Sequence, residues 1–189
     1  MQFIKTPLKG ALLIEPRIFR DHRGLFMEVY NEQFFRENEI ALNFVQDNYS
    51  QSVKGTLRGL HYQIDPYAQG KLVRVCSGEI FDVAVDIRKG SPDFGKWVGY
   101  RLSAENNRAI YIPPGFAHGF LVLSSSGAQV IYKCTQYYQP SCDRGILWSD
   151  PRINIQWPQQ PDLKLISDKD KNAPPLDKAE INFLYQANA

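Results

Sequence analysis

Between residues 11 and 138 the chain is a series of short strand-like segments, each closed by turn residues. Glu79–Arg88 shows the alternation most clearly. One face of this segment carries Phe81, Val83, Val85 and Ile87. The other face carries Asp82 and Asp86, which either orient a histidine, pair with Lys71 and an arginine, or face solvent. Short strands at regular spacing with few helical patterns predict an antiparallel sandwich or barrel.

The same pattern gives the boundaries of the expected elements. The predicted strands are Ala11–Phe19, Leu25–Tyr30, Phe44–Ser50, Gly55–Gln63, Lys71–Cys76, Glu79–Arg88, Trp97–Leu102, Arg108–Ile112, Phe120–Leu123 and Ala128–Tyr138. Asn31 is placed to cap a short helix that runs through Glu39. After Asp150, five prolines predict a wrapping segment with little regular structure. At this length, we expect residues 1–189 to form a single domain.

Charge and cysteine content narrow the function classes. The net charge is only +2 and the charges are mixed along the chain, which does not favour nucleic-acid binding. No apolar run has the length of a membrane span, and the N-terminus lacks the apolar core of a signal peptide. Three cysteines without metal-type spacing, Cys76, Cys134 and Cys142, indicate reduced thiols and a cytoplasmic protein.

The segment Gly55–Val75 concentrates groups suited to acid–base chemistry. It contains Arg58, His61 and Lys71 on two predicted strands joined by a loop. A histidine that changes charge near neutral pH, beside a guanidinium and an amine, suits proton transfer on an anionic substrate. These three residues are therefore candidates for a catalytic site.

Strand alternation predicts where these side chains point. Lys71 shares a face with Val73 and Val75, where an unpaired ammonium is costly; the alternative is a lysine at a strand end that reaches water. His61 falls on the face of Leu57 and Gly59. Arg58 then points the other way, unless a bulge near Gly59 turns it.

Other candidates carry equally plausible structural interpretations. Tyr132 faces inward on its strand, as many core tyrosines do. Asp170 lies in a charged loop that matters only if it folds back to orient His61. His61 and His118 would provide two ligands of a cupin-type metal site, but the usual H-x-H…E…H spacing is absent.

Eleven motifs, in order and spread over nearly the whole chain, resemble the dTDP-4-dehydrorhamnose 3,5-epimerase family. They are FVQDN (44–48), LRGLH (57–61), QGKLVR (69–74), FDVAVDIR (81–88), SP (91–92), LSAEN (102–106), IPPGFAHGF (112–120), YK (132–133), and the closing set ILW (146–148), WP (157–158) and SDKD (167–170).

The resemblance implies a mainly β fold, the double-stranded β-helix or jelly roll of the cupin type, with short helices and a C-terminal wrapping segment. It implies a homodimer that works without metal or organic cofactor. It assigns the base to His61, its orienting aspartate to Asp170, the lysine to Lys71 and the acid to Tyr132. Substrate contacts are expected at Arg23, Glu28, Gln46, Asn48, Arg58, Lys71, His118, Asp143 and Lys169, with Phe26, Asp82 and Tyr138 as further candidates. Asp143 departs from the glutamate more usual in the family.

The activity implied is epimerisation at C3 and C5 of dTDP-4-dehydro-6-deoxy-D-glucose to dTDP-4-dehydro-L-rhamnose, in dTDP-L-rhamnose biosynthesis for lipopolysaccharide or another cell-surface polysaccharide. Both hydrogens lie α to the C4 ketone, so either can be removed to give an enolate. The alternatives are a single-centre epimerase, a 3,4-ketoisomerase, a non-catalytic sugar-nucleotide-binding cupin and a metal-dependent cupin.

Overall fold

Two antiparallel sheets packed face to face make up the computed structural model, which describes residues 1–38, 40 and 43–186. The strands found there are β1 (Gln2–Lys5), β2 (Leu12–Glu15), β3 (Ile18–Asp21), β4 (Gly24–Met27), β5 (Gln46–Ser52), β6 (Leu57–Gln63), β7 (Lys71–Ser77), β8 (Glu79–Asp86), β9 (Trp97–Ser103), β10 (Ala109–Ile112), β11 (Phe116–Val122), β12 (Ala128–Cys134) and β13 (Asp143–Gly145). One sheet has the order β1-β2-β10-β7-β12-β5 and the other β13-β6-β11-β8-β9. The jelly-roll prediction is confirmed.

The core between the sheets is built from alternate residues of both. Val73 and Val75 of β7 and Val130 of β12 pack there against Ala84 of β8 and Phe120 of β11. Each strand therefore presents one face to this core, as the alternation predicted.

The outer face of the five-stranded sheet is covered by the C-terminal segment. Val83 and Val85 of β8 pack against Ile153, Leu176 and Phe183, all of which follow the last strand. Both faces of β8 are thus buried, so the solvent-facing alternative for Asp82 and Asp86 is wrong: both residues are 0% exposed.

Helices are few and short. The helix α1 (Glu32–Glu37) begins after Asn31, whose side chain accepts hydrogen bonds from the amides of Gln33 and Phe34, as predicted. Its predicted end at Glu39 lies outside the described residues. The helix α2 (Asp168–Lys171) is a single turn in the C-terminal segment. Among the described residues, none of the helices has the length and apolar character needed to cross a membrane.

Several strand boundaries differ from the prediction, and three of these differences bear on the site. Ala11–Phe19 is not one strand, because Pro16 lacks an amide hydrogen and separates β2 from β3. Strand β3 then leaves the main sheet and pairs with β4 in a separate two-stranded hairpin. Strand β11 begins at Phe116 rather than Phe120, which places His118 inside the sheet, and β12 ends at Cys134 rather than Tyr138.

A β-bulge interrupts the pairing of β6 with β11. His61 is the register partner of His118 and Arg58 that of Phe120, so Gly59 and Leu60 together lie opposite Gly119. The backbones approach closely: a Cβ on Gly59 would lie 2.5 Å from the Gly119 Cα, and the Gly59 φ of +127° favours glycine. The extra residue shifts the alternation by one position.

The bulge decides which side chains share a face. The bulge near Gly59 that the sequence allowed is present, and it turns Arg58 inward. Arg58 is the register partner of the core residue Phe120, so Arg58 and His61 both lie on the inward-facing side of β6. Leu57, expected beside His61, packs instead with Leu121 and Ile166 in an outer cluster.

Candidate active site

A cavity of about 170 Å³ opens between the two sheets. Its lining combines residues from β5, β6, β7, β12, β13 and α2. They are Gln46, Asn48, His61, Tyr62, Gln63, Gln69, Lys71, Tyr132, Tyr138, Asp143 and Lys169. His61 projects into the cavity from the five-stranded sheet, and Lys71 and Tyr132 project from the six-stranded sheet on the opposite wall.

His61 and Asp170 form a hydrogen-bonded pair at this cavity. Nε2 of His61 lies 2.6 Å from Oδ1 of Asp170, and the amide of Gly59 donates to Oδ2 at 3.3 Å. Asp170 lies in the single turn of α2, which is capped by Ser167 and packs on β6. Since the carboxylate accepts the Nε2 proton, the Nδ1 lone pair of neutral His61 remains free to act as a base.

Asp170 is ionised despite its burial. Its side chain is 4% exposed, against 32% for His61. Burial alone would raise the pKa of Asp170, but the hydrogen bond and charge of His61 and the Gly59 amide together hold that pKa below its ordinary value. The pair can therefore stabilise an imidazolium formed by proton abstraction.

Lys71 lies on the opposite wall, at the first position of β7. It shares the inward face with Val73 and Val75, as predicted. Burial lowers the pKa of Lys71, while Cys134, Asp143 and Asp82 act in the opposite direction and Lys169 acts with the burial. An ammonium in this setting can stabilise a developing oxyanion.

Tyr132 of β12 also faces inward from the six-stranded sheet and packs against the core. Burial raises its pKa, with a smaller increase from Cys134, while the Arg58 charge lowers it. The hydroxyl therefore stays protonated at neutral pH and can deliver a proton into the cavity.

A chain of hydrogen bonds runs along the rim of the cavity. Gln46 donates to Asn48 Oδ1 at 3.0 Å and accepts the Tyr138 amide at 2.9 Å. The Tyr138 hydroxyl donates to Asp143 Oδ2 at 3.1 Å, and Lys169 forms an ion pair with the same oxygen. Five predicted contact residues are thus brought together at one rim.

Arg58 lines a second, smaller cavity of about 140 Å³ that shares His61 and Lys169 with the first. Its Nε donates to Ser52 Oγ at 3.0 Å. Two cationic side chains in one concave surface favour an anionic group there.

His118 and Asp82 form a second pair in the same sheet, and His118 is the register partner of His61 on the neighbouring strand. His118 Nε2 lies 2.8 Å from Asp82 Oδ2, and the two side chains are 8% and 0% exposed. Their predicted substrate contacts remain predictions.

Three predicted contact residues lie elsewhere in the chain. Arg23 and Phe26 line a concave surface of the β3–β4 hairpin, where Arg23 pairs with Asp21 at 2.6 Å. Glu28 follows that hairpin and accepts a hydrogen bond from Asn31 at 3.3 Å.

Four residues of the cavity region were not among the predicted site residues. Gln63 and Gln69 bind the backbone of the loop after β12, through Tyr137 and Gln136. Tyr62 also lines the cavity, and Cys134, predicted only as core, accepts a hydrogen bond from Asn48 at 3.4 Å. The inward alternation from His61 to Gln63 was a usable indication for Gln63; Gln69 and Tyr62 had none.

A metal-dependent cupin, one of the alternative interpretations, would need a cluster of ligating side chains. Within residues 1–38, 40 and 43–186, no three His, Cys, Asp or Glu side chains are grouped closely enough to hold a metal ion.

Comparisons with known proteins were made for the whole chain. The profile of a family described as dTDP-4-dehydrorhamnose 3,5-epimerase matches residues 5–178. A protein of that name from Shigella flexneri is 58% identical over 173 residues, covering 91% of this chain and 94% of its own. One from Methanothermobacter thermautotrophicus is 57% identical over 176 residues, covering 93% and 94%.

Solved structures give the same result. A dTDP-6-deoxy-D-glucose-3,5-epimerase from Legionella pneumophila, crystallised with dTDP-4-keto-L-rhamnose, superposes with a TM-score of 0.92 at 48% identity. The match covers 98% of this chain and 99% of that one. Fold and sequence therefore agree over almost the entire length.

Proposed function

The chain belongs to the dTDP-4-dehydrorhamnose 3,5-epimerase family, and we propose that His61, Lys71 and Tyr132 carry out its chemistry in the cavity between the sheets. The reaction is epimerisation at C3 and C5 of dTDP-4-dehydro-6-deoxy-D-glucose, which gives dTDP-4-dehydro-L-rhamnose. One observation carries the assignment of roles: the base and the acid project from opposite sheets into the same cavity.

His61 removes the proton. The hydrogens at C3 and C5 are both adjacent to the C4 ketone, so loss of either gives an enolate whose charge resides on the C4 oxygen. Nδ1 takes the proton while Nε2 keeps its hydrogen bond to Asp170, which stabilises the imidazolium.

Lys71 stabilises the enolate. Its ammonium lies in the cavity wall, where burial removes competing water and strengthens the attraction to the oxyanion.

Tyr132 returns a proton to the other face of the sugar. His61 belongs to the five-stranded sheet and Tyr132 to the six-stranded sheet. A sugar held between them is deprotonated from one side and reprotonated from the other, which inverts the carbon.

The diphosphate is bound by two cationic side chains beside the His61–Asp170 pair. Arg58 and Lys169 line the smaller cavity that adjoins His61, and a planar guanidinium suits phosphate oxygens. The thymidine then lies towards the rim formed by Gln46, Asn48 and Tyr138.

We also propose that the protein acts as a homodimer in which the β3–β4 hairpin reaches the partner's site. The hairpin forms a sheet of its own and exposes Phe19, Leu25 and Phe26, of which Phe26 is 67% exposed. Its predicted substrate contacts, Arg23 and Phe26, line a concavity other than the one that contains His61. Supplying them to a second copy reconciles both observations.

A cytoplasmic location fits the thiols. Cys76, Cys134 and Cys142 are all free, and Cys76 is exposed.

Proton NMR of dTDP-4-dehydro-6-deoxy-D-glucose in deuterated water, with purified protein and no added metal, tests the proposal. We expect loss of the H3 and H5 signals and formation of the L-lyxo product. Exchange at one carbon would instead identify a single-centre epimerase. Binding without exchange would identify a non-catalytic sugar-nucleotide-binding protein.

A further inference from the structure

Two buried carboxylates on the same face of β8 have very different surroundings. Asp86 binds the amide, Nε and guanidinium of Arg88 at 2.6–2.9 Å and accepts the Ser91 hydroxyl at 2.7 Å. Asp82, four positions earlier, has one hydrogen bond, to His118. Both residues are 0% exposed, so burial alone does not explain the difference.

The second oxygen of Asp82 has no partner. Among the described residues, only Ser50 Oγ and Asp82 Oδ1 are buried side-chain polar atoms without a hydrogen bond. An unpaired carboxylate oxygen costs stability unless a nearby positive charge compensates. A purely structural carboxylate at this position would be satisfied, as Asp86 is.

The groups around Asp82 adjoin the proposed catalytic site. Phe120 is the β11 register partner of Asp82, and His118, two residues before it, binds Asp82 Oδ2 and is the register partner of His61. From the opposite sheet, Asp82 is one of the negative charges that act on Lys71.

Other groups around Lys71 do not replace Asp82. Cys134 on β12 is a buried thiol whose pKa is raised by burial, so it is neutral at pH 7. Asp143 on β13 is already paired with Lys169 of α2 and bonded to Tyr138. Lys169 repels Lys71. Asp82 is thus the carboxylate near Lys71 that lacks a lysine or arginine partner of its own.

We propose that Asp82 is a positioning residue for the epimerisation: its Oδ2 holds His118, the register partner of His61, and its negative charge balances the ammonium of Lys71 across the cavity. The inference rests on the proposed function. It explains why a buried carboxylate with incomplete hydrogen bonding binds the register partner of His61 and also acts on the charge of Lys71.

The test is Asp82→Asn, which keeps the shape and a hydrogen-bonding group for His118 but removes the charge. We expect the melting temperature to stay the same or rise, kcat at pH 7 to fall about tenfold or more, and KM to change less than about threefold. Removing the negative charge favours deprotonation of Lys71, so the alkaline limb of the kcat–pH profile should move to lower pH.

Asp86→Asn is the matched control, since it removes a buried carboxylate from the same strand and face. It should lower the melting temperature and leave the pH profile of the folded enzyme in place. A double-mutant cycle supplies a further readout: in a Lys71→Met background, Asp82→Asn should reduce kcat by less than about twofold.

Three results would overturn the inference. One is an Asp82→Asn protein that loses stability or fails to fold, which would make the carboxylate structural. The second is unchanged kcat and alkaline limb. The third is a loss of kcat that adds fully to that of Lys71→Met. Normal exchange by the wild-type enzyme in deuterated water separates each of these from a failure of the proposed function.

Discussion

His61 and Asp170 are 109 residues apart in sequence, yet His61 Nε2 and Asp170 Oδ1 lie 2.6 Å from each other. The contact exists because the segment after β13 folds back over the five-stranded sheet, and the single turn of α2 within that segment packs on β6. The His61–Asp170 pair therefore joins β6 to the segment that covers the sheet.

Replacing Asp170 tests whether this contact supports proton abstraction. In Asp170→Asn the imidazolium loses its buried counter-ion and the amide can favour the wrong tautomer. We expect kcat to fall about 10²- to 10⁴-fold with little change in KM, measured by steady-state kinetics and by H3 and H5 exchange. Asp168→Asn in the same turn is the control, because the Asp168 side chain is 97% exposed. Equal losses in the two variants would contradict the role of Asp170.

Tyr132→Phe separates proton removal from inversion. The base and Lys71 remain, so hydrogens should still exchange with solvent, but no group returns a proton from the six-stranded sheet. We expect deuterium incorporation with impaired inversion, most strongly at C5, as measured by NMR of the product. Tyr111→Phe is the control, since Tyr111 is buried on the outer side of the same sheet. Unchanged product stereochemistry in Tyr132→Phe would show that another group is the acid.

Lys71 should set the alkaline limit of activity. Burial lowers its pKa, so the ammonium is lost below the pH of about 10.4 usual for lysine, and enolate stabilisation is lost with it. Tyr132 titrates later, because burial raises its pKa. We expect the alkaline limb of the wild-type kcat profile to lie below about pH 10.4, and in Lys71→Met we expect it to move to the higher pH at which Tyr132 ionises.

The same variant should be slower by about 10²- to 10³-fold at neutral pH, because the enolate loses its stabilising cation. Lys133→Met is the control for the loss of a cation. It removes a lysine from the outer face of the same six-stranded sheet, where Lys133 pairs with Asp47. Similar kinetics in the two variants would count against Lys71.

Strand alternation was sufficient to predict the inward direction of Lys71 and Tyr132, because β7 and β12 are regular where these residues lie. It failed between Leu57 and His61, because the β-bulge there shifts the alternation by one position. Gly59 had indicated only that a bulge was possible. Local pattern determines a face only while the register is unbroken.

Long-range packing was beyond the sequence pattern. The alternation of β8 separated Asp82 from Val83, but it did not show that the C-terminal segment covers the Val83 face while the Asp82 face lies in the core. The family resemblance paired Asp170 with His61, whereas the residues around it predicted only a charged loop. The separate hairpin that carries Arg23 was likewise invisible in a pattern that joined β2 to β3.

Hybrid dimers test whether that hairpin completes the site of the partner. If each site combines His61 of one chain with Arg23 of the other, His61→Ala and Arg23→Ala are both inactive alone but complement each other. Random mixing makes half of the dimers hybrid, and each hybrid has one intact site, so activity should return to about a quarter of wild type. Mixing His61→Ala with Asp170→Asn is the control, because both residues serve the same site of one chain and no recovery is expected. Differently tagged chains establish that hybrids form, and hybrids of His61→Ala and Arg23→Ala without activity would place Arg23 in the site of its own chain.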